Sequence, residues 1–145
     1  MASKTTQSMN DILNYMLRGV APSWGGSGTL YLSLHVGAIG NGGNQSTNEV
    51  DYVGYARLPI TRSVAGSFAI ASGGSTTNSA VFTFGKCTSA GAITLPCIIT
   101  HVAIGEASST AGTVIVSSAL SGVGIVVNIN SKPEFDLSTL TIQEA

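Results

Sequence analysis

Of the 145 residues only 9% are charged, against about 25% in a typical soluble domain, while 43% are hydrophobic and 18 are glycine. A single domain of this length buries roughly two-thirds of its unfolded surface. With a formal net charge of −1, copies repel one another little, so either association shields the surface or the many Ser, Thr, Asn and Gly residues solubilise it.

The six basic residues, Lys4, Arg18, Arg57, Arg62, Lys86 and Lys132, are scattered, which argues against a nucleic-acid partner. The apolar stretches at 98–104 and 123–129 are interrupted and far shorter than the roughly 20 residues of a membrane span. Met1 to Gln7 is polar and unlike a secretory signal, so folding in a cytoplasm is expected. Met9, Ile12, Leu13, Met16, Leu17 and Val20 recur at spacings of three and four, which predicts an amphipathic helix over 9–20. Ser8 or Asn10 would cap it, and Gly19 followed by Pro22 would end it. A helix of this length is marginal alone and needs a surface to pack on, in its own domain or on a neighbouring subunit.

A Gly-rich linker, Trp24 to Gly28, leads to a strand over 29–36 with Leu30, Leu32, Leu34 and Val36 on one face and Tyr31, Ser33 and His35 on the other. Residues 37–49 read as a loop, long enough to be mobile or to wrap a partner. The run 55–63 contains Pro59, which removes a ladder donor and predicts an edge or a bulge. Short β-type runs follow at 67–71, 80–84, 92–95, 98–104, 113–120, 123–129 and 140–143, separated by turn clusters such as Gly73-Gly74. The pattern predicts an all-β fold, a jelly-roll-like β-sandwich with a short N-terminal amphipathic helix. Residues 1–28 would be a helical arm and linker, and 29–145 the sandwich domain. Periodicity alone does not separate a jelly roll from an immunoglobulin-like sandwich.

Several segments carry a more specific signal. NDILNYMLRG (Asn10 to Gly19), TLYLSLHVG (Thr29 to Gly37), GYARLPITRS (Gly54 to Ser63), NSAVFTF (Asn78 to Phe84) and ITHVAIGEASSTAGTVIVSSAL (Ile99 to Leu120) follow one another over most of the chain. In this order they resemble small virion structural proteins of tailed bacteriophages, variously labelled tail-fibre-like, head decoration or cement proteins. The glycine-asparagine loop after the first strand departs from the acidic-proline turn common in such proteins. The resemblance implies a β-sandwich that coats or staples a virion, without chemistry.

The reactive residues fit that expectation. Cys87 and Cys97 lie ten apart, which is not a metal spacing, and free thiols are expected. His35 and His101 would form a metal site only by converging with a group such as Cys97, and hydrogen-bonded histidines are expected instead. No Gly-x-Ser-x-Gly elbow is present. Glu49 with Asp51, and Glu134 with Asp136, have a spacing that shares a strand face, but such acids are usually solvated. Asn44-Gln45-Ser46 matches a glycosylation acceptor by chance, and the glycine-rich stretches lack the ending of a phosphate loop. No catalytic residue, metal or cofactor is expected.

The interface residues expected are Ile12, Leu13, Met16 and Leu17 on the helix, with Trp24, Tyr55 and Arg57. Arg57 would anchor a neighbour's carboxylate or pair internally with Asp51 or Glu106. Trp24 would be an interface anchor or a cover over one end of the sandwich. The favoured function is a capsid decoration or cement protein on the capsid surface. It would bind the major capsid protein of the same phage as a dimer or trimer and stabilise the shell by mass action. The alternative is a tail-associated or fibre-like adhesion module, with Tyr31, Tyr52, Tyr55 and Trp24 stacking on host glycan.

Overall fold

The computed structural model describes residues 2–26 and 28–143. Met1, Ser27, Glu144 and Ala145, and with them part of the expected linker and the last two residues of the expected sandwich domain, lie outside the described residues. The fold is all-β with one short helix.

Its centre is a five-stranded antiparallel sheet in the order β1-β8-β7-β2-β3: β1 (Ala2–Ser3), β8 (Val114–Ala119), β7 (His101–Gly105), β2 (Leu30–His35) and β3 (Leu58–Ile60). Three two-stranded ladders complete it: β5 (Phe82–Thr83) with β10 (Glu134–Phe135), β4 (Ser75–Thr77) with β11 (Thr141–Gln143), and β6 (Cys97–Ile99) with β9 (Ile125–Val127). The run expected as one strand over 98–104 is two strands in different ladders, with Thr100 between them. The runs at 67–71 and 92–95 form no strand, Phe68 making only an isolated bridge to Asn78. Pro59 sits in β3 at the sheet edge, where its missing N–H costs no ladder bond.

The alternation in β2 places Leu32 and Leu34 against the main core. The three ladders contribute Phe82, Phe135, Ile99, Val127 and Ile142 to the same cluster. The other face of β2, expected to be solvated, is covered as well: Ser33 and His35 are fully buried, and Ile39, Ala103 and Val114 form a second small cluster. Two segments cover that face. The start of α1 (Thr6–Arg18) lies on β8, and the loop over 37–50 folds across β2 and β7.

The helix begins earlier than its apolar pattern suggests. Thr5 is the N-cap, its hydroxyl accepting the Ser8 N–H, and Gly19 ends the helix in the left-handed conformation at φ 66°.

Candidate functional site

Helix α1 is fixed by its polar side. The Thr5 hydroxyl donates to the Val114 carbonyl at 2.8 Å and the Ser8 hydroxyl to the Ile115 carbonyl at 2.8 Å, while the Thr6 N–H reaches the Asn41 carbonyl at 2.7 Å. Ser8 is its only buried residue among those described. The segment after the helix is pinned too, by specific bonds. Trp24 Nε1 donates to Asp11 Oδ2 at 2.9 Å, and Arg62 donates to the carbonyls of Trp24 and Gly28. The Ser23 hydroxyl donates to Glu106 at 2.7 Å.

This anchoring turns the apolar stripe outward. Leu13, Met16 and Leu17 are 53%, 70% and 77% exposed, Met9 and Val20 are also exposed, and Ile12 is half-buried. Three of these, at 9, 13 and 16, follow the 4-3 spacing of a coiled-coil seam along α1, and Val20 lies just beyond the helix end at Gly19. The helix's two charges, Asp11 and Arg18, lie on the opposite side of the cylinder, about 160–180° from the seam at 100° per residue.

Tyr55 and Arg57 serve the chain's own loops. Arg57 is buried and pairs with Glu49 through two parallel bonds, Nε to Oε1 at 2.7 Å and Nη2 to Oε2 at 2.6 Å. Its Nη1 donates to the carbonyls of Ala107 and Thr110. The partner is thus neither Asp51 nor Glu106, and the guanidinium is committed inside the chain rather than presented to a neighbour. Burial, reinforced by the Glu49 carboxylate, pushes the Tyr55 phenol far up. Its hydroxyl donates to Glu49 at 2.8 Å and accepts the Leu34 N–H that β3 leaves unpaired. Tyr55 also stacks on Phe84, and Tyr52 is buried, so the aromatic quartet with Tyr31 and Trp24 forms no common platform for a sugar.

The loop over 37–49, read from sequence as mobile or wrapping, is stapled down by these bonds and by Gln45. Gln45 is fully buried beside Gly105 and Gly112, where a Cβ at either glycine would strike its side chain, and its Oε1 accepts the Ala107 N–H at 2.8 Å. Nothing in the local pattern marked Gln45. In the glycosylation-like triplet, Asn44 uses its side-chain oxygen to accept the Ser46 N–H.

His35 and His101 are register partners on β2 and β7. His35 Nδ1 faces the Thr47 carbonyl at 2.9 Å and so carries the proton, leaving Nε2 to accept from the Ser33 hydroxyl at 2.9 Å. His101 meets the hydroxyl of Thr100. Among the described residues, no three His, Cys, Asp or Glu side chains are grouped to hold a metal ion. Cys87 and Cys97 are free, buried thiols.

These features define a β-rich building block with stapled loops and an apolar helix turned to solvent. Over residues 3–143 the chain matches the family described as podophage GP4 fiber I protein gp80, and it belongs to that family. It is therefore a small virion structural protein of a tailed phage. No curated protein matches it significantly.

Proposed function

We propose that the chain is a non-enzymatic structural unit of a phage fibre that assembles by pairing α1 with α1 of a second copy. The observation that carries this is the outward seam of Met9, Leu13 and Met16 on α1, flanked by Ile12 and Leu17, with exposed Val20 just past the helix end. A two-fold axis near residues 14 and 15, with the helices antiparallel, maps 13 onto 16 and 12 onto 17. The stripe is thereby self-complementary, as an isologous contact requires. No charge lies on it to repel a copy or to select a charged partner. Each large side chain covered contributes roughly 1.5–3 kcal/mol.

The family description names a fibre protein, which favours the fibre-like reading over capsid decoration, with its capsid-surface location and major-capsid partner. Adhesion to a host-surface glycan is part of the fibre reading. A jelly-roll-like arrangement, with the three ladders as the second layer on the common core, is the architecture that goes with it.

Light scattering on the purified 14.7 kDa chain tests the pairing: a dimer is expected at micromolar concentration. Replacing both Leu13 and Met16 by Asp should leave a folded monomer, with the circular dichroism melt of the β domain retained. A monomeric or trimeric native chain, or a variant that still dimerises, rejects the helix pairing. Labelling purified virions with an antibody decides fibre against capsid surface.

A further inference from the structure

Away from the helix and the stapled loops lies a cleft of about 520 Å³, within the roughly 300–1,000 Å³ of small-molecule sites. The end of β8 and the turn after it line it on one side, and β10, β11 and the turn joining them on the other. Buried Phe135 and Leu140 and half-buried Ile125 supply its apolar part, while Ser121, Glu134, Asp136 and Thr141 are exposed along it. None of its described lining residues is Lys, Arg or His.

The polar groups are held in place. Glu134 Oε2 accepts from the Thr83 hydroxyl at 2.7 Å across the β5–β10 ladder. The fully buried Asn78 donates to the Asp136 carbonyl at 2.7 Å and accepts the Leu140 N–H at 2.9 Å, so one amide sets the turn that carries Asp136. Glu134 and Asp136, two residues apart, thus both line one cleft.

Two carboxylates without a cation disfavour anionic ligands by repulsion. Vicinal hydroxyls suit them, because a carboxylate accepts short charge-assisted bonds from such donors. Ser121 and Thr141 can donate or accept as the ligand demands, and the apolar part can take the C–H face of a ring. We propose that this cleft binds a neutral saccharide, with Glu134 and Asp136 accepting hydrogen bonds from its hydroxyls. This deepens the adhesive part of the fibre reading and is separable from helix pairing.

The test is calorimetric titration of the full chain with neutral oligosaccharides of glucose, galactose, mannose and rhamnose. Sialylated and uronate-containing oligosaccharides and oligolysine serve as contrasts. At least one neutral sugar is expected to bind, and Glu134→Gln and Asp136→Asn should each weaken it at least tenfold while the melting temperature and dimer mass hold. Should Asp136→Asn fail to fold, Glu134→Gln decides. Binding of only the acidic sugars or only oligolysine, no binding at all, or neutral-sugar binding unchanged in the variants overturns the proposal. Light scattering reads the helix pairing independently.

Discussion

Glu49 and Arg57, eight residues apart, meet in a two-pronged ion pair whose guanidinium also holds the carbonyls of Ala107 and Thr110, joining three loop segments at one buried point. Only 2% of the Arg57 side chain and 15% of the Glu49 side chain reach solvent. Removing one member of such a pair strands a buried charge, at about 3–5 kcal/mol. Glu49→Ala should therefore lower stability by about that amount in urea unfolding, and Arg57→Lys should also destabilise because one ammonium cannot reproduce the fork. A loss below about 1 kcal/mol for Glu49→Ala would mean that the staple does not hold the loops.

His35 gives the fold a pH dependence. Burial lowers its pKa below 6.5, opposed by the Thr47 carbonyl and the charge of Glu49, and aided by Arg57 and His101. The folded state therefore binds fewer protons than the unfolded one, and stability present above pH 6.5 declines as the pH falls below it. Urea unfolding from pH 8 downward should show this decline, and His35→Gln should flatten its upper part. Stability that rises as the pH drops through 6.5 would contradict the neutral, proton-donating role assigned to Nδ1.

Gly54 sits at φ 105°, and a Cβ there would collide with the Lys86 carbonyl. Strain at such a backbone costs on the order of 1–3 kcal/mol before the collision is counted. Gly54→Ala should accordingly lower the melting temperature by several degrees. An unchanged melt would show that this turn relaxes freely.

Both thiols are buried and free, and burial pushes the Cys97 thiol up, away from the reactive thiolate. A thiol-titrating reagent should find almost none in the native protein and two after denaturation. Rapid native labelling, or a mass two protons short without reductant, would count against this arrangement.

What was legible in the sequence follows from local periodicity. The 3.6-residue recurrence from Met9 to Val20 marked α1, and the two-residue alternation from Leu30 to Val36 marked β2 and its core face. Pro59 marked an edge because a missing N–H has the same consequence in any sheet. Periodicity did not show that the helix would be anchored through Thr5 and Ser8, which turned its apolar stripe outward rather than inward. That outcome depends on the carbonyls of Val114 and Ile115, more than a hundred residues away. The loop over 37–49 looked unconstrained because its restraints are long-range: Gln45 inserts beside Gly105 and Gly112, and Arg57 closes on Glu49. Glu134 and Asp136 are exposed, as expected of solvated acids, and what the sequence did not show is that the chain reversal fixed by Asn78 sets them along one cleft with β8. Spacing along the chain sets which residues can share a face. Only the closed fold decides what that face meets, because burial and pairing are properties of segments distant in sequence.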